Sequence, residues 1–209
     1  HDDHFFVTDI DGIDTNAIVF KKKNRKNPRR FLVLIMPGNP GVCEFYYEFA
    51  RLLFEHSSQR DDIVVVSHAG HCGRDIENNA TFSLQDQIKH KLVVLDQLSD
   101  SESNLCREFD IEPASDDSPF ILLGHSIGAY INMKLYLAKP QLPIKTIVNL
   151  FPTFRNLYDG LVPAVRLAVQ PGMRQIFACI LHYAPTWMSR MLLKLSNELS
   201  DEAKYATAD

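Results

Sequence analysis

Pro119-Phe120-Ile121-Leu122-Leu123-Gly124-His125-Ser126-Ile127-Gly128-Ala129-Tyr130 reads as a short apolar strand, a tight turn carrying one serine, and the start of a helix. Its centre, Gly124 to Gly128, is a G-x-S-x-G pentapeptide, the pattern of a serine displayed on a strand-to-helix elbow. The spacing has a physical reason. Presenting one hydroxyl to a base and a substrate at once takes a sharp turn. Such a turn brings strand and helix backbones too close for side chains, and glycines two before and two after the serine relieve the crowding. The following helix aims backbone N–H groups at any developing negative charge. The competing reading is an ordinary glycine-rich turn with a solvated serine. The elbow is favoured because Ile127 to Ala138 continues as a helix after an apolar run of strand length.

Upstream, Phe31 to Met36 is an unbroken apolar run ended by Pro37-Gly38-Asn39-Pro40-Gly41. Unbroken runs fit parallel strands buried on both faces, and the Pro/Gly stop predicts a tight loop with free backbone N–H groups. Val42 to Glu55 continues as a helix with Phe45, Phe49, Leu52 and Leu53 on one side. Asp61-Asp62 caps the turn into a second buried strand, Ile63 to Val66, and Ser67-His68-Ala69-Gly70-His71 follows it. Ligands of open α/β sheets bind beyond such strand ends, which makes His68 and His71 candidates to line a substrate. As His-x-x-His they lack a third ligand cluster, so no metal site is expected.

Leu84 to Leu98 predicts a helix with Ser83 as N-cap. Residues 100–117 carry seven carboxylates against one arginine, and Lys21 to Arg30 carries seven basic residues in ten. Both stretches read as solvated connections. Pro140 and Pro143 punctuate a turn before a last strand, Ile144 to Phe151. At the start, Phe5 to Val7 and Ala17 to Phe20 flank a turn at Asp9 to Gly12, which predicts a hairpin. Strands alternating with helices imply an α/β fold, a mostly parallel sheet with helices on both faces.

Composition bounds the rest. With 45% hydrophobic residues and 23% charged, 209 residues can bury a real core. A net charge of −4 makes no case for nucleic acid. Cys43, Cys72, Cys106 and Cys179 are widely separated and read as reduced thiols. No apolar run reaches membrane-spanning length. Asn79-Ala80-Thr81 is a glycosylation sequon, relevant only to a secreted protein.

The C-terminal stretch differs in kind. Residues 160–197 contain no acidic side chain, and Arg166, Arg174, Arg190 and Lys194 stand among apolar residues. Trp187, Met188, Met191, Leu192 and Leu195 fall on one helical face, with Arg190 and Lys194 beside it. That pattern suits a helix in a lipid interface, with Trp187, Met191 and Leu192 as membrane-contact candidates. A helical cap packed on the domain is the equal alternative. The expected organisation is an α/β core over 1–152 and a cap or lipid-interface region over 153–209.

Taken together, Ile35-Met36-Pro37-Gly38-Asn39-Pro40-Gly41, Ser67 to His71, Gln87-Ile88-Lys89-His90-Lys91-Leu92, Leu123 to Gly128, and Leu150-Phe151-Pro152-Thr153 resemble the lipid-droplet-associated hydrolase family of the α/β-hydrolase fold. The resemblance implies a serine hydrolase of lipid carboxylic esters, cholesteryl ester being the substrate usually proposed. It would work at a droplet or endoplasmic-reticulum surface and without a cofactor. Ser126 is then the nucleophile, and the backbone N–H groups of Ile127 and Asn39 form the oxyanion hole. Another hydrolase of the fold, such as a thioesterase or peptidase, and a non-catalytic membrane-binding protein remain as alternatives.

One departure stands out. The triad order in this fold is serine, acid, histidine, and the last histidine of the sequence is His182. No strand–Asp or strand–His unit is read after Trp187. The family's C-terminal acid and histidine are therefore expected to be missing from a truncated chain, leaving the Ile144 to Phe151 strand as an apolar edge. His125, His68, His71 and His182 are weak substitutes as general base.

Overall fold

In the computed structural model the chain divides into two units, His1–Phe154 and Arg155–Asp209. The structure describes residues 4–21, 28–71 and 81–154, all in the first unit. Trp187, Met191, Leu192, His182, Asn79 and Ala80 of the sequon, and the cap expected over 153–209 apart from residues 153 and 154, fall outside the described residues.

Six strands form one sheet in the order β1-β2-β4-β3-β5-β6. β1 (Phe5–Ile10) and β2 (Ile13–Phe20) make the expected hairpin, longer than the apolar cores of the two strands suggested. β2 lies antiparallel to β4 (Asp62–Val66). From there the sheet is parallel: β4 with β3 (Leu32–Met36), β3 with β5 (Phe120–His125), and β5 with β6 (Ile144–Leu150).

The unbroken apolar runs are explained by alternation across two buried faces. Leu32, Leu34 and Met36 of β3 join Val64, Val66, Phe120 and Leu122 on one face. Val33 and Ile35 join Ile63, Val65 and Leu123 on the other. The first face is covered by α2 (Leu84–Gln97), α3 (Asn104–Phe109) and α4 (Ile127–Ala138), through residues such as Leu95, Phe109 and Ile131. The second is covered by Ala50 and Phe54 of α1 (Tyr47–His56). Ser83 caps α2 as expected, in a full capping box with Asp86.

Three expectations are corrected. The acidic stretch is not wholly a loop, because Leu105, Cys106 and Phe109 bury one side of α3. The helix expected over Val42 to Glu55 is a 3₁₀ turn, Cys43–Tyr46, followed by α1. Its buried residues include Cys43, Ala50 and Phe54, whereas Phe45 is 72% and Phe49 39% exposed. Finally, Arg29 in the basic run is not solvated.

Arg29 is buried, with its Nε donating to Ser118 Oγ at 2.7 Å. Its two terminal nitrogens donate to the carbonyls of Glu112 and Pro113 at 2.6 and 2.7 Å, and one also reaches Asp62 Oδ2 at 3.4 Å. This one side chain fastens the segment after α3 to the starts of β4 and β5. Replacing Arg29 with alanine leaves buried acceptors short of a donor. The expected loss is on the order of 3 kcal/mol of unfolding free energy, read from urea denaturation. A loss below ~1 kcal/mol contradicts this role.

Candidate active site

The site forms where β3 and β5 end side by side. Met36 pairs with Gly124 in register, so the Pro37–Gly41 loop and the Ser126 turn leave the sheet as neighbours. Ser126 has φ 53° and ψ −116°, a conformation disfavoured for a residue with a side chain. Close approach on both sides holds it there. A Cβ on Gly124 would lie 2.6 Å from the Ala129 backbone, and one on Gly128 would press into the carbonyls of Met36 and Pro37. Both glycines therefore act by close packing.

The turn points Ser126 and its neighbour in different directions. Ser126 Oγ meets Thr153 Oγ1 at 3.1 Å, and its N–H donates to the Leu150 carbonyl at 2.9 Å. His125 instead faces the 3₁₀ turn, with Nδ1 2.7 Å from the Tyr46 hydroxyl. The same hydroxyl accepts the Gly38 N–H at 2.7 Å. Burial raises the Tyr46 phenol above its ordinary value, keeping it protonated and able to donate to a bare Nδ1. Tyr46 thus ties the loop after β3 to the residue before the serine. Ile127 opens α4, so its N–H has no partner within the helix. Asn39 stands on the adjoining loop and lines a cavity of about 350 Å³ with Pro40, Phe45, Tyr46, Phe49, His125 and Leu150.

The two histidines after β4 part company. His71 is exposed, its Nδ1 3.1 Å from the Ala69 carbonyl. His68 is buried, and neither His68 nor His71 is among the residues lining that cavity. His68 lies instead above a buried polar cluster. Lys91 Nζ donates to the Ser67 carbonyl and sits 3.1 Å from His90 Nδ1, while His90 Nε2 is 3.0 Å from Thr15 Oγ1. The Gln87 amide clasps both the N–H and the carbonyl of Ala69.

Burial pulls the Lys91 ammonium down to about 7. It takes His68 to about 3, helped by the Lys91 and His71 charges and opposed by the Pro37 carbonyl. His90 falls to about 3 through burial and the charges of Lys91 and His68. Nearby, burial pushes the Cys43 thiol up to about 12, which leaves it unreactive at neutral pH. Cys43 and Cys106 are both free and buried. Among the described residues no group of three or more metal-ligating side chains converges, and no helix is long and apolar enough to cross a membrane.

Comparison with known proteins bears directly on this site. The model of the family described as lipid-droplet associated hydrolase matches residues 29–208. The chain belongs to that family. A lipid droplet-associated hydrolase of Dictyostelium discoideum is 37% identical over 199 residues, covering 94% of this chain and 62% of the relative. Those of Gallus gallus and Homo sapiens are 33% and 29% identical, covering 65% and 68% of this chain but 41% and 43% of the relatives. The chain thus spans between about two-fifths and three-fifths of the length of these curated family members. Among solved structures, mouse alpha/beta hydrolase domain-containing protein 10 superimposes with a TM-score of 0.52 at 16% identity, covering 78% of this chain and 56% of its own. Est1E from Butyrivibrio proteoclasticus gives 0.51 at 19%, covering 71% and 51%. The fold of this family member is the α/β-hydrolase fold.

Sequence reading missed Tyr46, Thr153 as the Ser126 partner, and the Lys91 cluster. The Gln87 to Leu92 motif carried the last as a pattern without a role. The cluster makes a pH prediction. Folded, His68 and His90 titrate near 3, against an ordinary 6.5. Between those values the unfolded chain binds more protons, so stability falls as pH drops below about 6.5, by up to ~1.4 kcal/mol per unit for each histidine. Urea midpoints measured from pH 7 to pH 4.5 should show this decline, and His68→Phe should remove about half of the slope. A slope unchanged by the substitution contradicts the assignment.

Proposed function

We propose that this chain carries the nucleophile of a serine hydrolase that cleaves lipid carboxylic esters at a droplet surface. The observation that carries the reading is Ser126 held at positive φ on the elbow between β5 and α4, beside the loop that bears Asn39. Ser126 Oγ attacks the acyl carbon, forming a C–O bond. Collapse of the tetrahedral intermediate breaks the bond to the alcohol, which leaves with a proton, and water then releases the acid. The N–H groups of Ile127 and Asn39 receive the oxyanion, donors of this kind contributing about 3–4 kcal/mol each.

The relatives' names support the lipid-droplet setting. Cholesteryl ester is the first substrate to test; the endoplasmic-reticulum location rests on the family resemblance alone. The described residues after Ser126 contain no Asp, Glu or His. In the chain order of this fold the acid and the histidine follow the serine, so both belong beyond Phe154. The alternative is a non-catalytic lipid-surface protein of the same fold. It is favoured by the Ser126 hydroxyl meeting Thr153 and no imidazole among the described residues.

A fluorophosphonate probe decides between the two. Labelling is expected in the full-length protein, which supplies the acid and the histidine, and should vanish in Ser126→Ala, with ester turnover falling at least about a thousandfold. Labelling that persists in the variant contradicts Ser126 as nucleophile. An unlabelled native protein that still binds droplets favours the alternative.

A further inference from the structure

The segment after the Pro37–Gly41 loop is apolar on two sides, and the sheet uses only one. Cys43, Ala50 and Phe54 fill the core beneath β3 and β4. Phe45 and Phe49 point away from that core and remain 72% and 39% exposed. They form one wall of the cavity of about 350 Å³; Asn39 and Pro40, Tyr46 with His125, and Leu150 form the others. A volume of this size falls in the range of small-molecule sites, ~300–1,000 Å³.

Among the described residues, no carboxylate, ammonium or guanidinium lines this cavity. Its phenol is already committed, accepting from Gly38 N–H and facing His125 Nδ1. A polar ligand would therefore find few open partners, whereas an apolar one would meet two phenylalanine rings, a leucine and a proline. The position matters equally. Ser126 does not itself line the cavity; the link to the serine is Asn39, which belongs both to the cavity and to the loop proposed to receive the oxyanion, and Leu150, whose carbonyl accepts the Ser126 N–H.

We infer that this cavity is the acyl site, taking the hydrocarbon chain of the ester, and that Phe45 and Phe49 set the chain length accepted. The inference rests on the serine-hydrolase reading for the position of the ester carbon. The two are tested separately. Binding is read with cis-parinaric acid, a fluorescent fatty acid, on the Ser126→Ala protein, where no turnover intervenes. Phe49→Asp should weaken binding at least tenfold. Leu52→Asp alters an apolar residue of the same helix that is 40% exposed but outside the cavity, and it should change binding less than twofold.

Turnover is read on p-nitrophenyl esters, which hold the alcohol constant while the acyl chain grows. In the full-length protein kcat/KM should climb with each added methylene by up to about fourfold, the ~0.8 kcal/mol of burying one CH₂, until the cavity is filled. Phe49→Trp narrows the cavity and should move that limit to a shorter chain, lowering the long-to-short ratio about tenfold. Parinaric acid binding that survives Phe49→Asp, or weakens equally in Leu52→Asp, overturns the acyl site even if Ser126 proves to be the nucleophile. Binding that responds as expected while the full-length protein cleaves no ester supports a hydrocarbon-chain site and defeats the catalytic reading.

Discussion

Everything at this site depends on how closely α4 approaches the end of β3. The parallel pairing of β3 with β5 sets two strand ends side by side, and α4 starts immediately above them. At Gly128 the approach leaves no room for a Cβ against the Met36 and Pro37 carbonyls; at Gly124 none against Ala129. The backbone between them must turn within a few residues, and Ser126 takes the positive φ that results. The surrounding sheet holds that strained conformation, because releasing it would require α4 to lift off a fully buried core. The strain is thus maintained by the packing of the residues around Ser126, together with its own N–H bond to the Leu150 carbonyl.

A second layer of the design is polar. Tyr46 joins the loop after β3 to His125, tying together two segments that flank the cavity. Below the neighbouring loop, Lys91, His90 and Gln87 secure the backbone from Ser67 to Ala69. These groups keep the loop in place at the cost of pH sensitivity, since the fold holds two imidazoles neutral by burying them.

Much of this was legible in the sequence. The apolar runs of β3 and β4 have no polar alternation, and a strand buried on both faces needs none. Gly124 and Gly128 bracket Ser126 at the elbow spacing, and Ser83 marked the start of α2. What stayed hidden was long-range pairing. Arg29 looked like one cation in a basic run because Ser118 and the Glu112 and Pro113 carbonyls lie more than 80 positions away. α3 was masked by the carboxylates of the stretch around it, its three core residues being too few to set a period. Phe45 and Phe49 were legible as part of one apolar side of a helix, but helical spacing does not say which of two apolar faces meets the sheet, and the sheet takes Ala50 and Phe54. Thr153 reaches Ser126 only because β6 lies beside β5.

The central claim is that Ser126 is the atom-bearing residue of the reaction, and trapping the intermediate tests it most directly. Incubation with a short-chain p-nitrophenyl ester, rapid acid quench and mass-spectrometric peptide mapping would locate the acyl group. The account predicts a single added acyl mass on the peptide containing Gly124 to Gly128, fragmenting to Ser126. An acyl group found on another side chain, with Ser126 unmodified, would contradict it.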